Sequence, residues 1–67
     1  MPVAKVTEIT ASSPKGFDDA LKLGIARAAK TLKNIRGAWI NEMTVIVDRG
    51  KIIEYRVNMK LTFVLND

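Results

Sequence analysis

The groups that could do chemistry in this chain are few and scattered. Its carboxylates are Glu8, Asp18, Asp19, Glu42, Asp48, Glu54 and Asp67, and it contains neither histidine nor cysteine. A Ser-His-Asp or Cys-His apparatus cannot be built without those residues, and Cys₂His₂-type metal sites are excluded. Asp18 and Asp19 are adjacent, so on a helix they would point about 100° apart and could not converge on one substrate atom. No Gly-rich phosphate loop is present. The residues point away from an enzyme and toward a protein that holds something.

The cations suggest a second class of function. The chain carries a net charge of +4, and Arg27, Lys30, Lys33 and Arg36 lie close together, which invites a nucleic-acid reading. They step by three residues, however, and so wind around half a helix instead of forming a stripe. A solvated face that complements the helix dipole accounts for them. One tryptophan and one tyrosine beside two phenylalanines do not make a platform for stacked bases. No nucleic-acid partner is expected. Charges interrupt every apolar stretch well short of the roughly 20 residues of a membrane span, and the features of a signal peptide are missing. The expectation is a cytoplasmic protein with no membrane partner.

These groups must be positioned by 67 residues, 48% of them apolar. That length holds one domain, residues 1–67. A chain of about 60 residues buries only about 60% of its unfolded surface. Without disulfides or a metal, a core this small supplies no more than about 3–5 kcal/mol. Oligomerisation is the expected remedy.

The stretch 3–10 is rich in β-branched residues and reads as a strand. Ser13 suits a helix N-cap, Pro14 the first helical position and Gly37 the stop. Within that span Phe17, Leu21, Ile25, Ala28, Leu32 and Ile35 form one apolar stripe. Lys15, Lys22 and Lys33 lie away from it, and Leu23 projects from the opposite side. Two strands follow, 38–47 and 51–65, joined through Gly50, whose positive φ a tight hairpin needs. Ile53, Tyr55, Val57, Met59, Leu61, Phe63 and Leu65 share one face of the last strand, and Glu54, Arg56, Asn58, Lys60 and Thr62 the other. The predicted fold is α+β: a βαββ unit whose three-stranded antiparallel sheet curls around one amphipathic helix.

Two details of this sheet point outward. The last strand would span about 50 Å against about 30 Å for the helix, so it must curl or overhang. A two-residue Arg49-Gly50 loop would put Gly37, Trp39, Asn41, Met43, Val45 and Val47 on the face of Arg56, with Glu42 on the helix side. A three-residue loop would flip the register and turn Trp39 toward the helix. The first register is preferred. It predicts a face too apolar for open water, hence an assembly interface.

At this point the residues resemble the dodecins, small βαββ proteins that assemble into hollow homododecamers, many of which bind flavins. The likeness runs nearly end to end: Lys5-Val-Thr-Glu-Ile9, Ser13-Pro14 with Phe17 three positions on, and Ala26-Arg-Ala-Ala-Lys-Thr-Leu-Lys-Asn-Ile-Arg36. It continues in Glu42-Met43, the Asp-x-Gly turn at Asp48–Gly50, and Tyr55-x-Val57 leading to Phe63. Flavin-binding members typically carry a tryptophan just after the basic helix end, and paired isoalloxazine rings stack between these indoles. Gly37 stands at that position here, and the indole is at Trp39, displaced by about 7 Å on the same strand face. The family's flavin-bonding glutamine corresponds to Arg56, which donates only and carries charge.

The resemblance implies a shell that stores or sequesters riboflavin, FMN or FAD between subunits. Trp39 would be its stacking platform, and Gly37 would leave space beside it. Arg56 would meet ring carbonyls or phosphate, and Asn58 joins the candidate set. A bland role for Trp39 is a subunit contact, where tryptophan is a common anchor. The resemblance also allows other cargo. Arginine at position 56 is similar to members associated with calcium, and Asn41, Glu42 and Glu54 offer oxygen ligands that symmetry could multiply around a divalent cation. Helix lysines and arginines could instead hold a nucleotide such as coenzyme A.

Overall fold

A computed structural model describes residues 3–65; Asp67, counted among the carboxylates above, lies outside them. Four elements follow in order: β1 (Ala4–Ser13), α1 (Phe17–Ala28), β2 (Ile35–Asp48) and β3 (Lys51–Val64). The strands form one antiparallel sheet in the order β1-β3-β2. The last strand is therefore the central one, and α1 packs across β1 and β3. This is the α+β, βαββ architecture expected from the sequence.

The alternation in β3 decides which face is covered. Val57, Met59 and Leu61 are buried together with Ala20 and Ala28 of the helix, while Ile9, Ala11, Phe17, Leu21 and Ile25 pack around them. The helix meets the sheet along Ala20, Gly24 and Ala28, a line of small residues four apart. The larger Phe17, Leu21 and Ile25 flank that line. The contact is thus made closer than the predicted stripe of large side chains implies. Phe17 closes one end by meeting the Tyr55 ring edge-on, with centroids 5.1 Å apart.

The helix is half the predicted length. At its start, Ser13 is the last residue of β1, and Gly16 occupies the N-cap. The Ser13 hydroxyl is buried, accepts from the Lys15 amide at 3.0 Å and donates to the Asp19 carboxylate at 2.5 Å. It ties the strand end to the first helical turn instead of capping it. At the other end, the amides of Lys30, Thr31 and Leu32 turn back onto Arg27 and Ala28. Asn34 then adopts φ +63° and redirects the chain into β2, a conformation asparagine tolerates better than most residues. Its amide group and carbonyl also bond to Val64. Lys30 and Lys33 consequently lie in the connection and Arg36 in β2, so Arg27 alone of the four clustered cations is on the helix.

The hairpin turns at Arg49-Gly50, both with positive φ, 52° and 76°. This is the two-residue turn whose twist suits antiparallel strands. The expected single register does not persist. Three shifts interrupt β2–β3, leaving Arg36 and Asn41 as extra residues on β2 and Ile53 on β3. Glu42 therefore opposes Asn58 and Thr44 opposes Arg56, whereas Met43 opposes Val57 and Val45 opposes Tyr55. Opposed residues share a face. Glu42 is thus on the outer face and Met43 and Val45 on the helix side, the reverse of the expectation for these three.

The fourteen residues of β3 extend about 48 Å at strand rise, and the twelve of α1 only about 18 Å. The longest dimension of the molecule is 51 Å. The hairpin accordingly overhangs the helix, leaving Val47, Ile52 and Ile53 exposed. Met43 and Val45 are exposed because α1 packs over β1 and β3 and leaves β2 uncovered.

Candidate ligand-binding site

All four residues singled out from the sequence lie on the sheet face away from the helix. Gly37 opposes Thr62 and Trp39 opposes Lys60, with Asn58 and Arg56 further along the same side of β3. They do not form a single cluster. Trp39 stands four residues along β3 from Arg56, about 14 Å, and Asn58 lies between.

Asn58 is the hub of the face. Its Oδ1 accepts from Asn41 Nδ2 at 2.8 Å, and its own Nδ2 donates to Thr10 Oγ1 at 2.9 Å. A primary amide both donates and accepts, so one side chain in the central strand links both edge strands. Asn41 lies on the outer face as its spacing from Trp39 predicts, and the bulge there brings Glu42 onto the same side. No period-2 reading could have placed Asn41 and Glu42 together.

Around Asn58 lies a shallow hollow of about 290 Å³, lined by Glu8, Thr10, Glu42, Thr44, Arg56 and Asn58. It is rich in oxygen, with two carboxylates, two hydroxyls and an amide. Arg56 enters it already engaged, its Nε 2.5 Å from Glu54 Oε2. Arg56, expected to meet ring carbonyls or phosphate of a ligand, is thus engaged with a carboxylate of its own strand; the i, i+2 spacing of Glu54 and Arg56 on one face permits that pair without selecting it. Among the described residues no group of three or more acidic, histidine or cysteine side chains converges as metal ligands.

The other end of the face is a platform. Trp39 is 68% exposed, and the Lys60 ammonium lies 5.6 Å from its ring centroid. A Cβ at Gly37 would sit 3.3 Å from Thr62 Oγ1, so the backbone there runs close to its neighbour.

A larger cavity, about 570 Å³, lies elsewhere. It runs between α1 and the free edge of β1, with Ile9, Ala11, Leu23, Ala28 and Leu32 among its lining residues and Arg27 beside them. Leu23, which stood out from the helix pattern, is half exposed along it.

A family model described as Dodecin matches residues 3–66. The chain belongs to the dodecin family. Among individual proteins, this dodecin is similar to a protein named calcium dodecin from Mycobacterium tuberculosis, with 32% identity over 94% of this chain and 89% of the relative. The crystal structure of that antigen, described as having a novel calcium-binding site, superimposes with a TM-score of 0.82 over 96% of this chain and 91% of the other. A dodecin from Streptomyces davaonensis is 35% identical with a TM-score of 0.94, covering 98% of this chain and 97% of the other. A single-site variant of the T. thermophilus dodecin, 27% identical, reaches a TM-score of 0.95 with both chains fully covered. The dodecin fold is therefore shared along the whole described chain. No helix among the described residues is long and apolar enough to cross a membrane.

Proposed function

We propose that this dodecin is a non-catalytic, cytoplasmic binding protein that assembles with copies of itself, as a dodecameric shell, and stores or sequesters flavin on its outer sheet face. The carrying observation is the exposure of Trp39, the only tryptophan in the chain, on the face shared with Asn58. An uncovered indole is a stacking surface for a planar ring system. Gly37, two residues before Trp39 on the same strand, adds no side chain to the face, and Asn58 offers a hydrogen-bonding amide two residues from Lys60 along β3. Arg56, paired with Glu54, borders the site as a salt-bridged wall.

Assembly is supported by apolar surface that the helix leaves open. Met43 and Val45 carry the apolar face of β3 sideways onto β2, while α1 packs over β1 and β3, so both remain exposed. The groove between α1 and β1 presents a second apolar surface. A core built on five buried apolar side chains gains most of its missing burial by joining such surfaces between subunits.

Titration with riboflavin and FMN tests this reading, following flavin fluorescence on protein purified without added ligand. Stacking on Trp39 quenches the flavin. Unquenched flavin over micromolar protein, with the assembly intact by light scattering, would sink the flavin reading while sparing the fold.

A second reading is favoured by the oxygen-rich hollow around Asn58. Glu8, Glu42, Thr10, Thr44 and Asn58 present ligands suited to a hard cation, and a 32% identical relative is named for calcium. The guanidinium of Arg56 opposes a cation in the same hollow. Calcium titration by calorimetry separates this reading from the first.

A further inference from the structure

Trp39 and Lys60 are cross-strand partners, and the Lys60 ammonium rests toward the indole at 5.6 Å from its centroid. Lys60 has another neighbour: on β1 it is opposed by Glu8. Among the described residues, however, the ion pair formed is Arg56 with Glu54, and Lys60 turns to the aromatic ring. Arg56 and Lys60 therefore stand in different states. Arg56 is held by a carboxylate and lies about 14 Å from the Trp39 pair along the strand. Lys60 is at the platform and, among the described residues, bonded to no carboxylate.

We infer that Lys60 determines which planar ligands the Trp39 platform accepts, favouring those that carry a phosphate. A ring that stacks on this indole face must displace the ammonium, which forfeits its cation–π attraction. A neutral ligand returns nothing for that loss. A phosphate-bearing ligand gives the displaced ammonium an anion to meet, and the flexible four-carbon stem of lysine lets it follow the phosphate while the ring stays on the indole. The inference rests on the flavin reading above and specifies its ligand class: phosphorylated flavin over riboflavin.

The test is a paired titration of the assembled protein with riboflavin and FMN at low salt, repeated with Lys60→Met, which keeps the stem and removes the charge. Wild-type protein is expected to bind FMN about fivefold more tightly than riboflavin, the scale of one partly exposed ion pair. That ratio should shrink as salt is raised. In Lys60→Met the ratio should fall to about one, and riboflavin should bind at least as tightly as to wild type. Lys60→Gln provides a second uncharged variant if the first does not assemble. Equal binding of both ligands by wild type, or a preference for FMN that survives both substitutions, overturns the role of Lys60 and leaves flavin binding standing. Quenching of neither ligand by wild type overturns the flavin reading and this inference together.

Discussion

Gly24 of α1 and Ala11 of β1 approach so closely that a Cβ on the glycine would stand 2.8 Å from the alanine Cβ, and 2.9 Å from Met59 Cε. The methionine terminus could swing aside; the alanine Cβ is fixed to a strand backbone and cannot. In a free helix, alanine is better than glycine by about 1 kcal/mol. Here the overlap outweighs that gain, because overpacking costs about 1–3 kcal/mol. Gly24→Ala is expected to lower the thermal midpoint, measured by circular dichroism at fixed protein concentration. A raised midpoint would mean that the helix can lift off the sheet.

The hairpin turn offers the opposite opportunity. Arg49 is held at φ +52°, a region that costs an ordinary residue about 1–2 kcal/mol. Asparagine before Gly50 suits this turn far better. Arg49→Asn is expected to stabilise by about 0.5–1 kcal/mol, seen as a midpoint several degrees higher. No change would show that Arg49 gains a compensating contact in the assembly.

Asn58 connects three strands through Asn41 and Thr10. Replacement by leucine keeps the volume and removes both links. Because water reaches both partners, the expected loss is about 1 kcal/mol, read from the urea midpoint. If the amide also holds ligand, flavin affinity should fall more than stability does, and equal falls would assign Asn58 a structural part alone.

Trp39→Ala separates a ligand platform from a subunit anchor. On the flavin reading, the variant keeps its assembled mass by light scattering and no longer quenches flavin. A drop in mass would place Trp39 in a subunit contact instead.

The uncovered strand makes a further prediction. Val45 lies on the helix-side face of β2, beside α1, and is 37% exposed. Val45→Glu should leave the helical signal of the chain intact but reduce the assembled mass, because burying an unpaired carboxylate between subunits is strongly unfavourable. Unchanged mass would mean that this surface stays in solvent.

How much of this could be read in advance depended on whether the determining signal was periodic. The alternation from Tyr55 to Phe63 placed Val57, Met59 and Leu61 in the core and Asn58 and Arg56 outside, and the Arg49-Gly50 turn put Trp39 outside with them. The bulges at Asn41 and Ile53 carry no compositional mark, so strict alternation puts Met43, Val45 and Glu42 on the opposite faces from those they occupy. The helix end was misread because Gly37 looks like a stop, while the left-handed residue is Asn34. The apolar stripe drew attention to large side chains, although Ala20, Gly24 and Ala28 make the closest contact. Pairwise chemistry was less legible still: the contacts of Arg56 with Glu54 and of Lys60 with Trp39 depend on rotamers that spacing permits without selecting.

The strand order has a consequence for how the molecule comes into being. β3 sits between β1 and β2, and Ala4 pairs with Val64. While the ribosome is still making the hairpin, β1 has no neighbour to bond and α1 has no sheet to cover. The three-stranded sheet can close only once β3 has been made, so completion of the core is a late event even though the hairpin can form by itself. The apolar surfaces for other subunits are completed by that same event, and a chain becomes fit to join its neighbours only once it is itself folded.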